Sequence, residues 1–258
     1  MPLYHKESTA RVAPCSRDGT AAQGYGFAVT FVLIHGGSFA ASCWDMLLPH
    51  LDAPAIAVDL PGRGSRARPL AGLTIADSVD AVVDEIESRD LCDVVLVGHS
   101  MAGITMPGVA ERIPDRLARL VFIACTVPAD GQSTLDTLDP EIRELARQNA
   151  QQPAGGKMDD DMAIAMFCND MNRDQIQATL SRMVPEAVHL VLALVSLAGL
   201  RNDIPRTWIR TERDLIVPPE RQDLFAQNIR SPIVPIDAAH MVMISQPAAL
   251  ARALLDLS

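Results

Sequence analysis

Continuous apolar runs, most of them stopped by turn-forming residues, recur through the first half of the chain. The four runs are AVTFVLIHGG (28–37), AIAVDLPGRG (55–64), DVVLVGHS (93–100) and LARLVFIACTVP (117–128). Unbroken apolar runs, as opposed to alternating ones, are typical of strands that are covered on both faces of a parallel sheet. The pattern therefore predicts buried parallel strands that end in tight turns.

A helical pattern lies between the second and third runs. In residues 74–88, apolar side chains recur at helical spacing on one face and acidic side chains occupy the other. Thr74 followed by Asp77 resembles a helix N-cap with an acidic third position. Alternating strands and helices are the signature of right-handed βαβ units. The predicted apolar face comprises Ile75, Val79, Val82, Val83 and Ile86.

This alternation of strands and helices stops after Pro128. Residues 129–203 carry no strand pattern, because the polar stretch 131–162 predicts loops and the stretch 173–198 predicts a helix. We therefore expect residues 129–203 to form a mainly helical cap.

The strand pattern returns near residue 204. RTWIRTERD (206–214) and SPIVPIDAAH (231–240) each join an apolar run to turn residues, and helices are expected at about 218–229 and 246–256. The chain is thus predicted to be an α/β protein with a mostly parallel central sheet flanked by helices. Its expected parts are a loose lead-in (1–27), a core (28–128 and 204–258) and the cap (129–203).

Composition narrows the class of partner. The 258 residues are 48% hydrophobic, which is enough for one domain with a substantial core. The chain has 22 basic and 32 acidic residues, a net charge of −10. This balance disfavours nucleic acid and anionic membrane surfaces as partners, and it leaves a homodimer open.

Cysteine usage and the apolar segments bear on the cellular location. The five cysteines are scattered and odd in number, and they form no C-x-x-C pair, so we expect neither a disulfide framework nor a zinc site. The N-terminal residues lack the apolar core of a secretory signal. The longest apolar run, 187–200, is too short to span a bilayer. A cytoplasmic protein is expected.

Chemically useful residues stand at four predicted strand ends: His35-Gly36-Gly37, His99-Ser100, Asp214 and His240. The carboxyl ends of parallel strands meet at one edge of a sheet, where functional groups collect. The chain order Ser…Asp…His is one of those found among serine hydrolases. The pattern therefore predicts a triad at this edge.

Each member of the predicted triad has a distinct role. Ser100 is expected to attack, because a base, His240, removes its proton, and Asp214 is expected to orient the imidazole. The backbone N–H groups of Gly37 and Met101 are expected to hold the oxyanion.

Other residues compete for these roles. Glu212, Asp203 and Asp237 lie near Asp214 in the sequence, but Asp237 is too close to His240 along the chain to turn back onto it. His240 alone among the six histidines follows the last predicted strand. His35 and His99 are expected to shape their loops.

Several stretches resemble the branch of α/β-hydrolases that contains plant methylesterases and hydroxynitrile lyases, with bacterial esterase relatives. They are FVLIHGGSFAASCWDMLLPHL (31–51), GHSMAG (98–103), RTERDLIVPPERQ (210–222) and AAHMVMISQP (238–247), and MFCNDMNRDQIQATLSRMVPE (166–186) resembles the cap segment. The resemblance implies an α/β-hydrolase fold with a helical cap inserted after the strand ending near residue 125. It also implies the triad and oxyanion hole predicted above.

Departures from the branch favour its esterases over its lyases. The lyases have a lysine after the catalytic histidine, a threonine after the first-strand histidine and a glutamate in the nucleophile turn, whereas this chain has Met241, Gly36 and His99. The second glycine of G-x-S-x-G is Ala102, and the usual Gly-Asp before the histidine is Ala238-Ala239.

The resulting expectation is a serine hydrolase that cleaves carboxylic esters of small to medium apolar groups through an acyl-serine intermediate. Phe39, Trp44, Phe167 and His189 are expected to line its pocket between core and cap. Alternatives on the same triad are a natural-product tailoring enzyme (thioester or lactone hydrolysis, acyl transfer or cyclisation) and a slow-turnover ligand receptor.

No cofactor or metal is expected. The chain has no G-x-G-x-x-G after a strand, no P-loop and no spaced cluster of metal-ligating residues. The acidic stretch MDDDM (158–162) is expected to be an exposed loop rather than a cation site.

Overall fold

Six parallel strands form one sheet in the order β2-β1-β3-β4-β5-β6, in a computed structural model that describes residues 29–150 and 157–258. The predicted α/β fold with a parallel sheet is therefore confirmed. The predicted lead-in, 1–27, lies outside the described residues. The strands are β1 (Thr30–Ile34), β2 (Ala55–Val58), β3 (Val94–His99), β4 (Leu117–Ile123), β5 (Arg206–Thr211) and β6 (Ile233–Ile236).

Helices cover both faces of the sheet and fill the interval between β4 and β5. Three of them, α3, α4 and α5, lie in that interval, as expected of a helical cap. The helices are α1 (Ile75–Ser88), α2 (Met106–Arg112), α3 (Pro140–Ala150), α4 (Asp160–Phe167), α5 (Arg173–Arg182), α6 (Pro219–Asn228), α7 (Val242–Ser245) and α8 (Pro247–Leu255).

Alternate residues of each central strand enter two separate apolar clusters. In β1, Val32 and Ile34 pack with α1 and α2, whereas Phe31 and Leu33 pack with α7 and α8. Because successive side chains of a strand point to opposite faces, a strand covered on both sides needs an unbroken apolar run. This requirement explains the runs in the sequence.

Helix α1 begins where the sequence predicted. The Thr74 side chain accepts the Asp77 N–H at 3.1 Å, and the Asp77 carboxylate accepts the Thr74 N–H at 2.8 Å. This reciprocal capping box satisfies two N–H groups that would otherwise lack partners at the helix start. Four of the five residues of the predicted apolar face are buried.

Two predictions for the interval between β4 and β5 are wrong. The stretch 131–162 contains α3 and the start of α4, so it is not a loop, and Asp159 caps α4 by accepting the Met162 N–H at 2.9 Å. The helix predicted over 173–198 ends at Arg182. Pro185 follows, and a proline disfavours helical geometry in the residue before it, so the remaining apolar run forms short 3₁₀ turns.

The cysteines differ in state. Cys43, Cys125 and Cys168 are buried free thiols, but Cys92 is disulfide-bonded. Cys92 thus departs from the expectation that the cysteines form no disulfide framework, and the expected cytoplasmic location stays a prediction. Within the two described ranges, no helix is both long and apolar enough to cross a membrane.

The strand order creates a crevice between β1 and β3. The chain runs from β1 outward to β2 and then returns to the other side of β1, where Ile34 pairs with Gly98. Neighbouring parallel strands whose connections depart in opposite directions leave a crevice at their carboxyl ends. The turns after β1 and β3 therefore meet, and they carry Gly37 and Ser100.

Candidate active site

Ser100 lies in the tight turn after β3 with a left-handed backbone. Its φ is 54°, a conformation that costs a residue with a side chain about 1 kcal/mol and is kept where the surroundings impose it. A Cβ atom on Gly36 would lie 2.8 Å from the Ser100 Cβ, so a glycine is needed at that position. The turn directs the serine hydroxyl outward from the sheet edge.

Ala102, the departure from G-x-S-x-G, is accommodated by its neighbours. A Cβ atom on Gly98 would lie 3.0 Å from the Ala102 Cβ, so the missing side chain of Gly98 leaves room for the alanine methyl. The close backbone contact occurs at Gly103, where a Cβ atom would lie 2.3 Å from the Thr126 carbonyl oxygen. The tight turn therefore tolerates alanine in the second glycine position.

The structure brings Ser100, His240 and Asp214 into one hydrogen-bonded series. His240 Nε2 lies 2.9 Å from Ser100 Oγ, and His240 Nδ1 lies 2.8 Å from Asp214 Oδ2. A carboxylate only accepts hydrogen bonds, so Nδ1 carries the proton and Nε2 is free to accept from the serine. His240 and Asp214 are 1% and 2% exposed, which shields their mutual contact from water, whereas the contact between His240 and Ser100 is partly buried.

Asp214 is stabilised as an anion. One carboxylate oxygen accepts the Thr211 hydroxyl at 2.9 Å in addition to His240, and the other accepts the N–H groups of Ile216 and Val217 at 2.8 and 2.9 Å. Burial by itself raises the pKa of Asp214. The charge and hydrogen bond of His240, together with the two N–H groups, outweigh burial and hold the pKa below its ordinary value.

The His99 side chain supports the base, His240, by a hydrogen bond to the His240 backbone. His99 Nε2 lies 2.9 Å from the His240 carbonyl oxygen, so Nε2 carries the proton and donates. Burial, followed by the charge of His240, lowers the pKa of His99 to about 3. His99 is therefore neutral at ordinary pH, and its hydrogen bond holds the loop of His240 rather than its own.

His35 also forms hydrogen bonds to backbone groups, in this case beside the turn after β1. Its Nδ1 donates to the Gly36 carbonyl oxygen at 2.8 Å, and its Nε2 accepts the Leu60 N–H at 3.1 Å. Burial, followed by the charge of Arg63, lowers the pKa of His35 to about 4. A neutral His35 thus joins the turn after β1 to the loop after β2.

Two predicted lining residues form an apolar wall beside the base. The Phe167 ring, at the end of α4, lies 6.0 Å from the His240 ring between centroids, and Phe39 packs edge-on against Phe167 at 5.4 Å. One phenylalanine comes from the core and the other from the cap. Both rings are buried, at 0% and 6% exposed, so their role in lining a pocket stays a prediction.

The other two predicted lining residues lie elsewhere. Trp44 is fully buried, and its ring packs edge-on against His99 with centroids 6.4 Å apart. His189 Nε2 donates to the Leu73 carbonyl oxygen at 2.8 Å, which joins the cap to the loop before α1. The contacts that the structure describes for these two rings are thus with the core and that loop.

Gly37 and Met101 line the same small cavity. A Cβ atom on Gly37 would lie 3.4 Å from the Met101 Cγ. The cavity measures about 20 Å³, room for a single water molecule, and Arg63 and Glu186 also line it. The two predicted oxyanion-hole residues are therefore adjacent.

Comparison with known proteins identifies the family. A family model described as the alpha/beta hydrolase family matches residues 31–253. The chain belongs to the α/β hydrolase family. Its sequence is 28% identical over 251 residues to putative methylesterase 11, chloroplastic, of Arabidopsis thaliana, with 88% of this chain and 63% of that protein covered. The chain thus spans less than two thirds of that relative's length.

Two further similarities agree with the motif resemblance. Methylesterase 7 of Arabidopsis thaliana is 26% identical, with 88% of this chain and 95% of that protein covered. An extracellular alpha/beta-hydrolase from a Paenibacillus species has a TM-score of 0.80 and 24% identity, with 88% of this chain and 98% of that chain covered. The resemblance to plant methylesterases and bacterial relatives is confirmed.

The cap of this α/β hydrolase contacts both loops that carry the acid and the base. The Asn169 side chain donates to the Arg213 carbonyl oxygen at 2.8 Å, and the buried Asp170 carboxylate accepts the Ala239 N–H at 2.8 Å. Sequence reasoning missed these residues because the partners lie 44 and 69 positions away along the chain. No local pattern reports a contact over that separation.

Glu186 and Arg63 were also missed. Glu186 reaches the cavity from the cap, pairs with Arg63 and accepts the Ser38 N–H. Over residues 29–150 and 157–258, no group of three or more His, Cys, Asp or Glu side chains is placed to hold a metal ion in this α/β hydrolase.

Proposed function

We propose that this α/β hydrolase cleaves carboxylic esters through an acyl-serine intermediate. The supporting observation is the unbroken series from Ser100 Oγ through His240 to Asp214, with contacts of 2.9 and 2.8 Å. A serine hydroxyl is a weak nucleophile until a base removes its proton, and this series supplies both the base and the group that orients it.

The proposed reaction has two half-reactions. In the first, His240 takes the Ser100 proton as Oγ bonds to the ester carbonyl carbon, and it then gives that proton to the departing alkoxide, which leaves as the alcohol. In the second, His240 takes a proton from water as the water oxygen attacks the acyl carbon. The proton returns to Ser100 and the acid is released. Asp214 stabilises the imidazolium in both.

The negative oxygen of each tetrahedral intermediate is assigned to the N–H groups of Gly37 and Met101. The adjacency of these two residues beside Ser100 supports the assignment. Backbone donors fixed before the reaction stabilise developing charge without reorganisation, which is often the largest contribution to such catalysis.

The proposed substrate has a small or medium apolar acyl group. Phe39 and Phe167 form an apolar wall that reaches the His240 ring, where the group bonded to Ser100 would lie. The similarity to proteins named methylesterases favours a methyl ester, whose alcohol portion needs little room. Methyl esters of aromatic or branched acids are therefore the first substrates to test.

The decisive experiment uses a fluorophosphonate probe, which labels activated serines, with intact mass as readout. Wild type should gain one adduct, Ser100→Ala should gain none, and His240→Ala should label at least about a hundredfold more slowly, as expected when a general base is lost. Hydrolysis of a methyl ester panel by wild type should follow. A folded wild type that gains no adduct would refute the proposal and favour a ligand receptor. A Ser100→Ala variant that still gains one would refute the assignment of Ser100 as the nucleophile.

A further inference from the structure

A buried ion pair joins the core to the cap beside the turn after β1. Arg63, in the loop after β2, pairs with Glu186, in the cap segment after α5. Their side chains are 4% and 19% exposed, so water screens the pair poorly. A buried charge is tolerated only with a compensating partner. The pair is thus part of the interior around the site, unlike a surface ion pair.

Glu186 also holds the backbone of that turn. One of its carboxylate oxygens accepts the Ser38 N–H, and the Ser38 carbonyl oxygen accepts the Val184 N–H at 2.9 Å. Ser38 has a φ of 62°, a left-handed conformation that needs support from its surroundings. The cap segment therefore fixes Ser38 through both its N–H and its carbonyl group.

The Glu186 carboxylate places a negative charge close to the site assigned to the oxyanion. A Cβ atom on Gly37 would lie 3.0 Å from Glu186 Oε2, so a carboxylate lies directly against the residue whose N–H is assigned to the oxyanion. In a poorly hydrated site, an uncompensated negative charge there would oppose the negative intermediate. Arg63 supplies the compensating positive charge without removing the hydrogen bond to Ser38.

We propose that Glu186 and Arg63 are positioning residues for the oxyanion turn, Glu186 by anchoring the Ser38 peptide and Arg63 by neutralising Glu186. Neither touches the reacting atoms. The inference rests on the proposed ester hydrolysis and adds to it a charge-balanced contact from the cap. It makes the cap necessary for the chemical step as well as for substrate binding.

A double-variant cycle tests the charge balance. Arg63→Met, Glu186→Gln and the double variant are compared with wild type in p-nitrophenyl acetate hydrolysis, per mole of folded protein. Arg63→Met should lower kcat about 10- to 100-fold with KM within about threefold, because the unpaired carboxylate opposes the oxyanion. Glu186→Gln should keep kcat within about threefold, because its amide oxygen still accepts the Ser38 N–H. The double variant should recover to within about fivefold of wild type.

A purely structural ion pair predicts a different pattern. Either single variant leaves one buried charge unpaired, so both should lower Tm under either reading. A purely structural pair would also lower kcat equally in both single variants. That result, or a double variant no better than Arg63→Met, would overturn the inference.

Hydrogen exchange tests the anchoring without relying on catalysis. In Glu186→Ala the amide of Ser38 should exchange at least about tenfold faster than in wild type, and in Glu186→Gln it should stay near wild type. Unchanged exchange in Glu186→Ala would overturn the anchoring role. If wild type hydrolyses no ester and gains no adduct, the proposed function fails, and the exchange result still decides whether Glu186 anchors the turn.

Discussion

At the scale of single residues, neighbouring groups fix which side chains are charged. His35 and His99 face backbone groups and are buried, which keeps them neutral, whereas Asp214 accepts hydrogen bonds on both oxygens and stays ionised. His240 lies between the neutral His99 and the ionised Asp214. His240 is thereby able to exchange protons with Ser100, while His35 and His99 hold the neighbouring loops.

Replacing the acid without changing its shape should disable the base. In Asp214→Asn, the amide oxygen or nitrogen facing His240 no longer fixes the tautomer that leaves Nε2 free, so kcat should fall about 10³- to 10⁴-fold. Steady-state hydrolysis of a methyl ester measures this. Glu212→Gln, a nearby carboxylate that pairs with Arg210, is the control and should stay within about threefold of wild type. Equal losses in both variants would contradict the assignment of the acid.

Stability should decrease as the pH falls below about 6.5. The pKa values of His35 and His99 are about 4 and about 3, below the ordinary 6.5, so the unfolded chain binds protons in this window that the folded chain does not. The free energy of unfolding therefore rises with pH there, and each histidine should account for ~2 kcal/mol between pH 5 and pH 7. Urea unfolding at pH 5, 6 and 7 measures the slope.

A substitution separates the histidine contribution from other effects of pH. His35→Gln should reduce the slope of unfolding free energy against pH, whereas His50→Gln, at an exposed position, should leave the slope as in wild type. The same slope in His35→Gln and wild type would show that His35 does not control this dependence.

At the scale of elements, the core could be read from the sequence because its signals are local. A doubly covered strand needs consecutive apolar residues, and α1 carries its own capping box, so both are visible within about fifteen positions. The cap gave weaker signals. Helix α3 exposes Ile142 and Leu145, and the run 187–200 is apolar without forming an α-helix.

The residues of the candidate site likewise fall into those that a local sequence pattern predicts and those that it does not. Ser100, Asp214 and His240 follow strand ends in a recognisable order, so the sequence alone could nominate them. Glu186 and Asp170 act through partners that are distant in sequence, which only the folded chain brings close. Pocket-lining residues were the least predictable, because an apolar ring that lines a cleft and one that fills the core have the same pattern.

The contact between the nucleophile turn and the loop after β4 should not tolerate a side chain at Gly103. In Gly103→Ala the new methyl would meet the Thr126 carbonyl oxygen at 2.3 Å, and we expect a loss of about 2–3 kcal/mol in unfolding free energy. Gly72→Ala is the control, because its methyl meets nothing within 4 Å and only its φ of 79° opposes alanine, at a cost of about 1 kcal/mol. Urea unfolding compares them, and equal losses would contradict the collision.

At the scale of the whole molecule, the cap contacts three of the loops that form the site. Asn169 and Asp170 contact the loops of the acid and the base, and Glu186 contacts the turn after β1. Additional hydrogen bonds run from Gln175 in α5 to the carbonyl oxygens of Ile244 and Ser245. The positions of Asp214 and His240 therefore depend on the cap as well as on the sheet.

Removing the Asp170 carboxylate should affect activity and stability together. In Asp170→Ala the buried Ala239 N–H loses its acceptor, which should lower the unfolding free energy by about 1–3 kcal/mol, and kcat should fall about tenfold because His240 follows Ala239 directly. Thermal unfolding and ester hydrolysis measure the two effects. Asp174→Ala, in the first turn of α5, is the control and should change neither by much. Wild-type kcat in Asp170→Ala would contradict the role.

The place where the cap joins the sheet has a consequence for how such proteins diversify. The cap leaves after β4 and returns before β5, so exchanging it for a relative's would leave the strand register intact. An exchanged segment would nevertheless have to supply carboxylates equivalent to Asp170 and Glu186, since the Ala239 N–H and the Arg63 guanidinium would otherwise be left buried without partners. Exchange of cap segments between relatives is thus restricted by two positions, 170 and 186, at which the incoming segment must carry a carboxylate.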